Sequence, residues 1–403
     1  MTSRNSKKRR KPRAAVVVLW LLCAVCAGAL AALCWHMFAP QTLAESTALP
    51  ASTVSAQPTP QPQPQVTQLR VSATGDNLIH DGLYLQAQKR AGGSGYDFTA
   101  LYEHVAPFYQ GFDINWINQE TLVTDEFPPS SYPMFCTPAA LGQHMYDIGM
   151  RVVAMSNNHA YDKGAEGIAA TRRFWASMPD DVVTTGLWEG EADYERCPML
   201  EQDGVKKATL AYTYSINGLP TPQGAEANII YTSQEDVIQH QIELARQQAD
   251  VVAVGVHWGT ENSHGVNDAQ RALAQKMADW GADIIIGTHP HVVQAIETLA
   301  SADGRQVPVA YSLGNFVSTQ VQADNLIGII LTFDITKTTQ PDGASQTVVD
   351  HVKAAPVVMH YDAGFANELA AAHGCHANNA VFTRAYIEQV LQENISEEYL
   401  QLG

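Results

Sequence analysis

The sequence contains little charge, and beyond the first thirteen residues acidic side chains far outnumber basic ones. Charged residues make up 16% of the 403 residues, against 46% for hydrophobic ones. Residues 1–13 hold seven lysines and arginines, so the rest of the chain carries a formal net charge of −24, against −17 for the whole. Such an acidic body repels nucleic acid and anionic lipid surfaces. The composition therefore excludes nucleic acid as a partner, and the apolar content excludes a wholly disordered chain.

Cysteine is also scarce. Outside an apolar stretch near the N-terminus, only Cys136, Cys197 and Cys375 remain. Because three is an odd number, no framework of several disulfides can hold the fold together. The sequence leaves the pairing of these three residues open. Hydrophobic burial must supply most of the stability of the core.

Three common catalytic motifs are missing. The sequence has no GxSxG, no GxxxxGK[ST] and no GxGxxG after an apolar run. Their absence excludes the usual signatures of an α/β-hydrolase nucleophile, a P-loop and a dinucleotide-binding turn. Cys136 lies in no motif that would mark it as a nucleophile.

The N-terminal region predicts a membrane anchor. Residues 14–38 contain no charged side chain, and about 20 apolar residues are enough to span a bilayer as a helix. The basic residues before this stretch favour a cytoplasmic N-terminus. A single-pass protein of the cell membrane with an extracellular C-terminal domain is therefore expected. A cleaved signal peptide is the alternative, although its apolar region would be shorter, at about 7–15 residues.

The rest of the chain is divided by composition. A linker rich in Pro and Gln, which favours an extended spacer, precedes the folded part. The predicted segments are a basic tail at 1–13, the anchor at 14–38, the linker at 39–68, the main domain at 69–335, and C-terminal strands and a helix at 336–403 that complete the same domain.

Six apolar runs of the main domain each end in a cluster of Asp, Asn, Glu or His. The runs are residues 69–76, 113–120, 150–159, 250–259, 282–291 and 307–316. Short continuous runs of this kind are typical of strands that are covered on both faces. Helical patterns between them favour βαβ units and a largely parallel sheet, whose ligands bind beyond the carboxyl ends of the strands. The clusters are therefore predicted to converge on one site, although any one of them alone could be an ordinary turn.

Helices are predicted between and after these runs. One begins at a Thr137 cap and ends at Gly149, one runs from Asp268 to Gly281, and others cover 233–248 and 383–394. The later runs 327–336 and 347–362 have no helix between them. They are expected to form a second sheet packed on the first, with helix, sheet, sheet and helix as successive layers.

Imidazoles supply the sharpest signal. His289 and His291 lie two residues apart around Pro290, so on an extended backbone both rings point to the same side and can share a metal. His257 follows the run 251–256 and is a third candidate ligand. The alternative is a turn with two solvated histidines.

Oxygen ligands are expected at the other strand ends. Asp76 and Glu120 end the first two runs, and Asn158 ends the third. A buried carboxylate at such a position is costly unless it is paired or bound to metal. His159 is suited to proton transfer, whereas Asp162 is interpreted as a helix cap rather than a ligand.

Taken together, these clusters resemble one known family. The motifs are GD at 75–76, NxE at 118–120, SNNHxxDxG at 156–164, HWGxE at 257–261, GxHPHxxQ at 287–294 and SLGNF at 312–316. In this order they are similar to the bacterial CapA family of capsule and poly-γ-glutamate synthesis, which itself resembles the calcineurin-like metallophosphoesterases. The resemblance implies an α/β fold, a four-layered α/β/β/α sandwich, with its metal centre at the strand ends.

The resemblance also implies roles for the motif residues. The implied metal ligands are Asp76, Glu120, Asn158, His257, His289 and His291, and the implied catalytic pair is His159 with Asn158. The remaining motif residues Asn118, Asn157, Glu261 and Asn315 are predicted to bind substrate. A metallophosphoesterase usually begins Asp-x-His, but here the nearest histidine after Asp76 is His80. The site is therefore expected to hold one or two divalent ions, with Mn, Fe and Zn suited to the mixed ligands.

Two functions follow from this set. The first is a metal-dependent hydrolase or transferase in capsule or poly-γ-glutamate synthesis or export. Water activated at the metal would attack phosphorus or an acyl carbon, and His159 would protonate the leaving atom. The expected partners are an anionic envelope polymer or a phosphoester, the membrane, and other capsule synthesis membrane proteins. The alternative is a non-catalytic assembly or export factor that contacts an anionic polymer through a bridging metal.

Overall fold

The computed structural model describes residues 62–221, 228–361, 367–371 and 383–402. Among these residues, no helix combines the length and the apolar character that a membrane span needs. The predicted anchor at 14–38, Cys375 and residues 39–61 of the predicted linker lie outside the described part of the chain. The linker boundary at residue 68 is wrong, because residues 65–68 belong to the first strand.

Fourteen strands are found in the described residues. In chain order they are β1 (Gln65–Asn77), β2 (Ile114–Gln119), β3 (Met150–Ala154), β4 (Val183–Thr185), β5 (Met199–Gln202), β6 (Val205–Thr213), β7 (Val251–His257), β8 (Ile284–Thr288), β9 (Ile296–Ala300), β10 (Gln306–Ala310), β11 (Asn315–Val317), β12 (Ile327–Thr339), β13 (Ser345–Tyr361) and β14 (Asn367–Ala371). All six predicted runs contain strands. Strands β4, β5, β6, β9 and β14 were not predicted.

The strands form two mixed sheets. The first has the order β14-β13-β12-β1-β2-β3-β4, with β11 also paired to β1, and the second has the order β5-β6-β7-β8-β10-β9. Strands β1 to β4 are parallel, as are β6, β7, β8 and β10, whereas β12, β13 and the edge strands β5 and β9 are antiparallel to their neighbours.

The expectation that 327–336 and 347–362 build the second sheet is wrong. Strand β12 pairs with β1 along ten residues, from Gln65 opposite Thr339 to Thr74 opposite Ile330, and β13 pairs with β12. These strands extend the first sheet because β11 already lies beside the end of β1 and the chain returns along it. The two sheets instead divide the six predicted strands between them.

Eight α-helices are described. They are α1 (Asp81–Arg90), α2 (Thr99–Tyr102), α3 (Ala106–Tyr109), α4 (Ala139–Asp147), α5 (Gly164–Ala176), α6 (Glu235–Gln248), α7 (Asp268–Trp280) and α8 (Arg384–Asn394). The predicted helices at 233–248, 268–280 and 383–394 are present. Thr137 does not cap α4, because its hydroxyl lies 2.7 Å from that of Thr121, and Asp125 accepts the free Ala139 N–H instead. The N-terminus of α7 carries a capping box between Asn267 and Gln270.

Alternate residues of β7 show how the layers pack. Val252, Val254 and Val256 join α6 and α7 in one hydrophobic core, whereas Val251 and Ala253 join residues of the first sheet in the other. The second sheet is therefore covered by helices on one face and by the first sheet on its other face. Leu83 of α1, Leu141 of α4 and Ile168 of α5 pack in the larger core with the first sheet.

Candidate metal centre

The centre lies where strands of both sheets end. In the first sheet, Asp76 is the penultimate residue of β1, Glu120 follows β2, and Asn158 and His159 follow β3. In the second sheet, His257 ends β7, and His289 and His291 follow β8. The two sheets are joined here by a close backbone approach. Asp76 N donates to Gly314 O at 3.1 Å, and Leu313 N donates to Gly287 O at 3.1 Å. A Cβ on Gly75 would lie 1.9 Å from Gly314 O, so only glycine permits this approach.

The imidazoles contact one another and the first carboxylate. His257 Nε2 lies 3.1 Å from His289 Nδ1 and 3.0 Å from Asn158 Oδ1. The Oδ2 atom of Asp76 accepts from His289 N at 3.2 Å, and His291 Nδ1 lies 3.2 Å from the same oxygen. The prediction that these strand ends converge is confirmed by these distances.

The sequence predicts an extended backbone for the His-Pro-His segment, and this prediction is wrong. Strand β8 ends at Thr288, and the φ angles of His289 and His291 are 100° and 58°. Positive φ is costly for residues other than glycine and is often kept where a functional geometry requires it. The rings still lie near one another, with centroids 5.9 Å apart, but a tight turn of the backbone brings them there.

Glu120 is the most unusual residue of the centre. Its side chain is 1% exposed, and neither carboxylate oxygen has a hydrogen-bond partner among the described residues. The nearest imidazole nitrogens are His257 Nε2 at 3.7 Å and His291 Nε2 at 3.9 Å from Oε1. Burial, followed by the neighbouring Asp76, raises the pKa of Glu120 well above its usual value. An unpartnered buried carboxylate is strongly disfavoured in a protein unless a cation accompanies it.

The imidazoles share this imbalance. The Nε2 atom of His289 is buried without a partner, and burial together with His291 lowers the pKa of His289 to about 3. Burial also acts to lower the pKa of His291, but Glu120 and Asp76 outweigh it and raise that pKa to about 9. Burial and the neighbouring imidazoles lower the pKa of His257 well below its usual value. His257 and His289 are thus held in the neutral form that binds metal, and His291 would release its proton to a bound cation.

The donor atoms fit a divalent cation. Asp76, Glu120 and His291 offer one ligand atom each within 4.8 Å of one another, and Glu261, His289 and His291 do the same. Both groups share His291, so they adjoin. Mixed carboxylate and imidazole ligands suit Mn, Fe or Zn. His80, the nearest histidine in sequence to Asp76, belongs to neither group.

His159 is held by a carboxylate that the sequence reasoning assigned to another role. Asp162 Oδ2 lies 2.8 Å from His159 Nδ1 and accepts from Phe135 N at 2.6 Å. The interpretation of Asp162 as a helix cap is wrong, because α5 begins at Gly164 without a side-chain cap and the carboxylate points to His159 instead. The edge of the Phe135 ring lies against the imidazole, with centroids 4.6 Å apart.

The four predicted substrate residues have different surroundings. Asn118 donates to Asp76 Oδ1 at 2.7 Å, and Asn315 Oδ1 lies 3.0 Å from His291 Nδ1. Asn157 holds the turn after β3, since it donates to Gln119 O and accepts from His159 N. Glu261 is exposed at the edge of the centre. Substrate contact stays a prediction for each of them.

The loop after β6 also borders the centre, and it was not predicted from the sequence. Tyr214 lies with its ring centroid 4.8 Å from that of His289, and Asn217 Oδ1 accepts from Asn158 Nδ2 at 3.2 Å. A signal is present in the sequence, since the apolar run 205–213 is followed by Tyr-Ser-Ile-Asn at 214–217, and the other runs also lead into polar clusters. Its two lysines near the start concealed the strand.

Comparison with known proteins identifies a family for this chain. The family model described as "Bacterial capsule synthesis protein PGA_cap" matches residues 70–320. A crystal structure described as "Putative 5'-Nucleotidase from Staphylococcus aureus in complex with alpha-ketoglutarate" overlaps 81% of this chain and 58% of that chain, with a TM-score of 0.41 and 11% identity. With this TM-score, the structural similarity carries no argument about this protein.

Two relatives have related descriptions. The "PGA biosynthesis protein CapA" of Bacillus subtilis (strain 168) is 29% identical over 255 residues, which cover 62% of this chain and 64% of the relative. The "Capsule biosynthesis protein CapA" of Bacillus anthracis is 34% identical over 179 residues, which cover 43% of this chain and 41% of the relative. The chain thus spans less than two thirds of either relative. Because the family model covers more than half of the chain and every strand that contributes to the centre, this protein belongs to the bacterial capsule synthesis (PGA_cap) family.

Proposed function

We propose that this chain is a membrane-anchored, extracytoplasmic protein of capsule or poly-γ-glutamate synthesis or export, and that its centre is that of a metal-dependent hydrolase or transferase. The family membership and the descriptions of the two Bacillus relatives support the first part. The uncharged stretch at 14–38 supports the anchor. The packing of helices and two sheets supports a metallophosphatase-like α/β/β/α arrangement.

One observation carries the proposed chemistry: both oxygens of Glu120 are buried and unpartnered within reach of His257 and His291. Asp76, Glu120 and His291 would hold one divalent cation, and His289 with Glu261 would extend the site towards solvent. A cation bound there would supply Lewis-acid activation of water and of the substrate oxygen.

The chain's own groups orient this site and move a proton. Thr288 Oγ1 lies 3.0 Å from His257 Nδ1, which fixes the ring so that Nε2 faces Asn158 and Glu120. Asp162 fixes His159 through Nδ1. Because Nε2 of His159 makes no hydrogen bond to the described residues, it is available to give a proton to a leaving oxygen or nitrogen.

A non-catalytic role has one observation in its favour. Glu261 is exposed, and its carboxylate lies within 4.8 Å of ligand atoms of His289 and His291. A cation held by these three residues would be open to carboxylates of an anionic polymer. The acidic body otherwise repels such a polymer, so a bridging cation is what this alternative requires.

Metal content tests the centre directly. The full chain, kept soluble in a mild detergent, is loaded with Mn²⁺ or Zn²⁺, dialysed, and measured by elemental analysis beside His289→Ala. We expect at least one bound ion in the wild type and a loss of at least tenfold in affinity in the variant.

The matched control is His264→Ala. His264 lies outside the centre, with Nδ1 2.7 Å from Val293 O and Nε2 3.2 Å from Asp324, so this variant should keep its metal. Equal and near-zero metal in all three proteins would end the proposal. If metal binds but neither phosphodiesters nor γ-glutamyl amides are cleaved, the assembly role is favoured.

A further inference from the structure

Tyr214 forms an aromatic wall beside the centre. It directly follows β6, and its N–H donates to His257 O at 3.0 Å, so the strand pairing extends to it and holds its backbone in place. The ring is tilted 54° to His289 at a centroid distance of 4.8 Å. Yet 45% of the residue remains exposed. One part of the ring thus contacts a metal-site imidazole while the rest faces solvent.

No lysine or arginine of the described residues pairs with the centre beside this wall. All lysines and arginines beyond residue 13 lie in the described residues, and none forms a hydrogen bond or an ion pair with Asp76, Glu120 or the three histidines. Lys163, next to Asp162 in sequence, donates its ammonium to Met134 O at 3.1 Å. The charges that act on Glu120 and His291 come from carboxylates and imidazoles alone.

A substrate therefore finds no arginine or lysine clamp in this part of the chain, and any negative charge on it must be met by the cation. Tyr214 and the Asn158–Asn217 amide pair border the centre on this side. An exposed aromatic face at such a position favours flat or apolar groups and strengthens their binding about 3–10-fold.

We propose that Tyr214 is a substrate-positioning residue whose exposed ring binds an uncharged organic group flanking the reacting bond, beside a centre that pairs with no lysine or arginine of the described residues. The proposal rests on the metal-dependent function given above. It names the part of the substrate that the metal does not recognise.

The test compares two phosphodiesters of equal charge and equal leaving group. Bis(p-nitrophenyl) phosphate carries a flanking aryl group, and methyl p-nitrophenyl phosphate carries a methyl group in its place. Steady-state kinetics are measured on the Mn²⁺-loaded full chain. In Tyr214→Ala we expect KM for the aryl diester to rise about 3–10-fold, with kcat within twofold, and KM for the methyl diester to stay within twofold.

Two variants separate positioning from folding. Tyr214→Phe keeps the ring and should restore wild-type KM for both diesters. Tyr132→Ala removes a more exposed tyrosine, 76% exposed, whose ring contacts Phe135 rather than His289, and should leave both KM values unchanged. Equal effects of Tyr214→Ala on the two diesters, or no effect on either, would overturn the proposal.

A protein without turnover is tested by binding. Calorimetric titration of the Mn²⁺-loaded chain with diphenyl phosphate and with dimethyl phosphate should show that Tyr214→Ala weakens only the former, about 3–10-fold. Unchanged binding of diphenyl phosphate overturns the inference and leaves the metal centre intact. A wild-type chain that takes up no metal overturns the proposed function and the inference with it.

Discussion

Carboxylates at the two ends of the strands have opposite surroundings. At the amino ends, Asp113, Asp250 and Asp283 each precede a strand and accept a backbone N–H of the neighbouring strand. Two of them also pair with cations, Asp250 with Lys337 and Asp283 with Arg246 and Arg305. At the carboxyl ends, Asp76 and Glu120 meet amides, imidazoles and each other, and no lysine or arginine.

This difference separates a structural use of charge from a functional one. A carboxylate that pairs with a cationic side chain and accepts a backbone N–H links neighbouring strands, and its charge is balanced within the protein. The two buried carboxylates Asp76 and Glu120 face only one imidazole with a raised pKa, His291, and so keep an excess of negative charge that a divalent ion would neutralise. The same residue types thus pair within the protein at the amino ends of the strands, here called the closed edge. At the carboxyl ends, here called the open edge, they form the candidate metal centre.

The largest expected effect is at the closed edge. Asp283→Ala leaves Arg246, Arg305 and the Val252 N–H without their shared acceptor. We expect a loss of about 3 kcal/mol in the free energy of unfolding, measured by urea denaturation of the full chain in detergent.

Asp303→Ala is the control, because it removes an exposed partner of the same Arg305 and should cost under about 1 kcal/mol. Similar losses in the two variants would show that the amino ends are not fastened by buried charge.

Much of the open edge could be predicted from the sequence, because a strand end is a local feature. Asp76, Glu120 and His257 were found from the apolar runs before them. His289 and His291 were found too, but on the assumption of an extended backbone that their positive φ angles contradict. The chemistry of the residues identified the site, and the local conformation could not be derived from it.

What escaped prediction depends on long-range pairing. The antiparallel pairing of β12 with β1 joins residues more than 250 positions apart, and periodicity alone gives no partner for a strand. Asp162 was assigned to a helix cap because its sequence neighbours favour one, whereas its contact with His159 depends on the turn that follows β3. Tyr214 was missed with β6, whose first residues include Lys206 and Lys207.

Lys207 is a further buried charge with which to compare paired and unpaired groups. It lies near the amino end of β6 and has no carboxylate partner among the described residues. It is 1% exposed, and burial lowers its pKa to about 7. Lys207→Met should therefore stabilise the protein by about 2 kcal/mol at pH 7, in the same urea assay. Lys206→Met, at the exposed neighbouring position, should change the free energy of unfolding by under about 0.5 kcal/mol.

The pH dependence of that difference has a definite sign. Between pH 7 and about 10, the unfolded chain holds a proton on Lys207 that the folded chain lacks, so the stability of the wild type rises with pH relative to Lys207→Met. The advantage of the variant should shrink towards pH 10. A constant advantage from pH 7 to 10 would mean that the folded protein keeps the ammonium charged.

The smallest expected change in stability is also the most direct contrast with Asp283. Glu120→Gln removes the unbalanced charge from the open edge while preserving the shape of the side chain. Neither oxygen of Glu120 accepts a hydrogen bond from the described residues, and burial together with Asp76 outweighs the attraction of His291. We therefore expect the metal-free protein to gain about 1 kcal/mol in the urea assay at pH 8. In the presence of Mn²⁺ the order should reverse, since the wild type alone is stabilised by binding the ion. A loss of stability in the metal-free variant would show that Glu120, like Asp283, is held by its surroundings, and the distinction between the two edges would then fail.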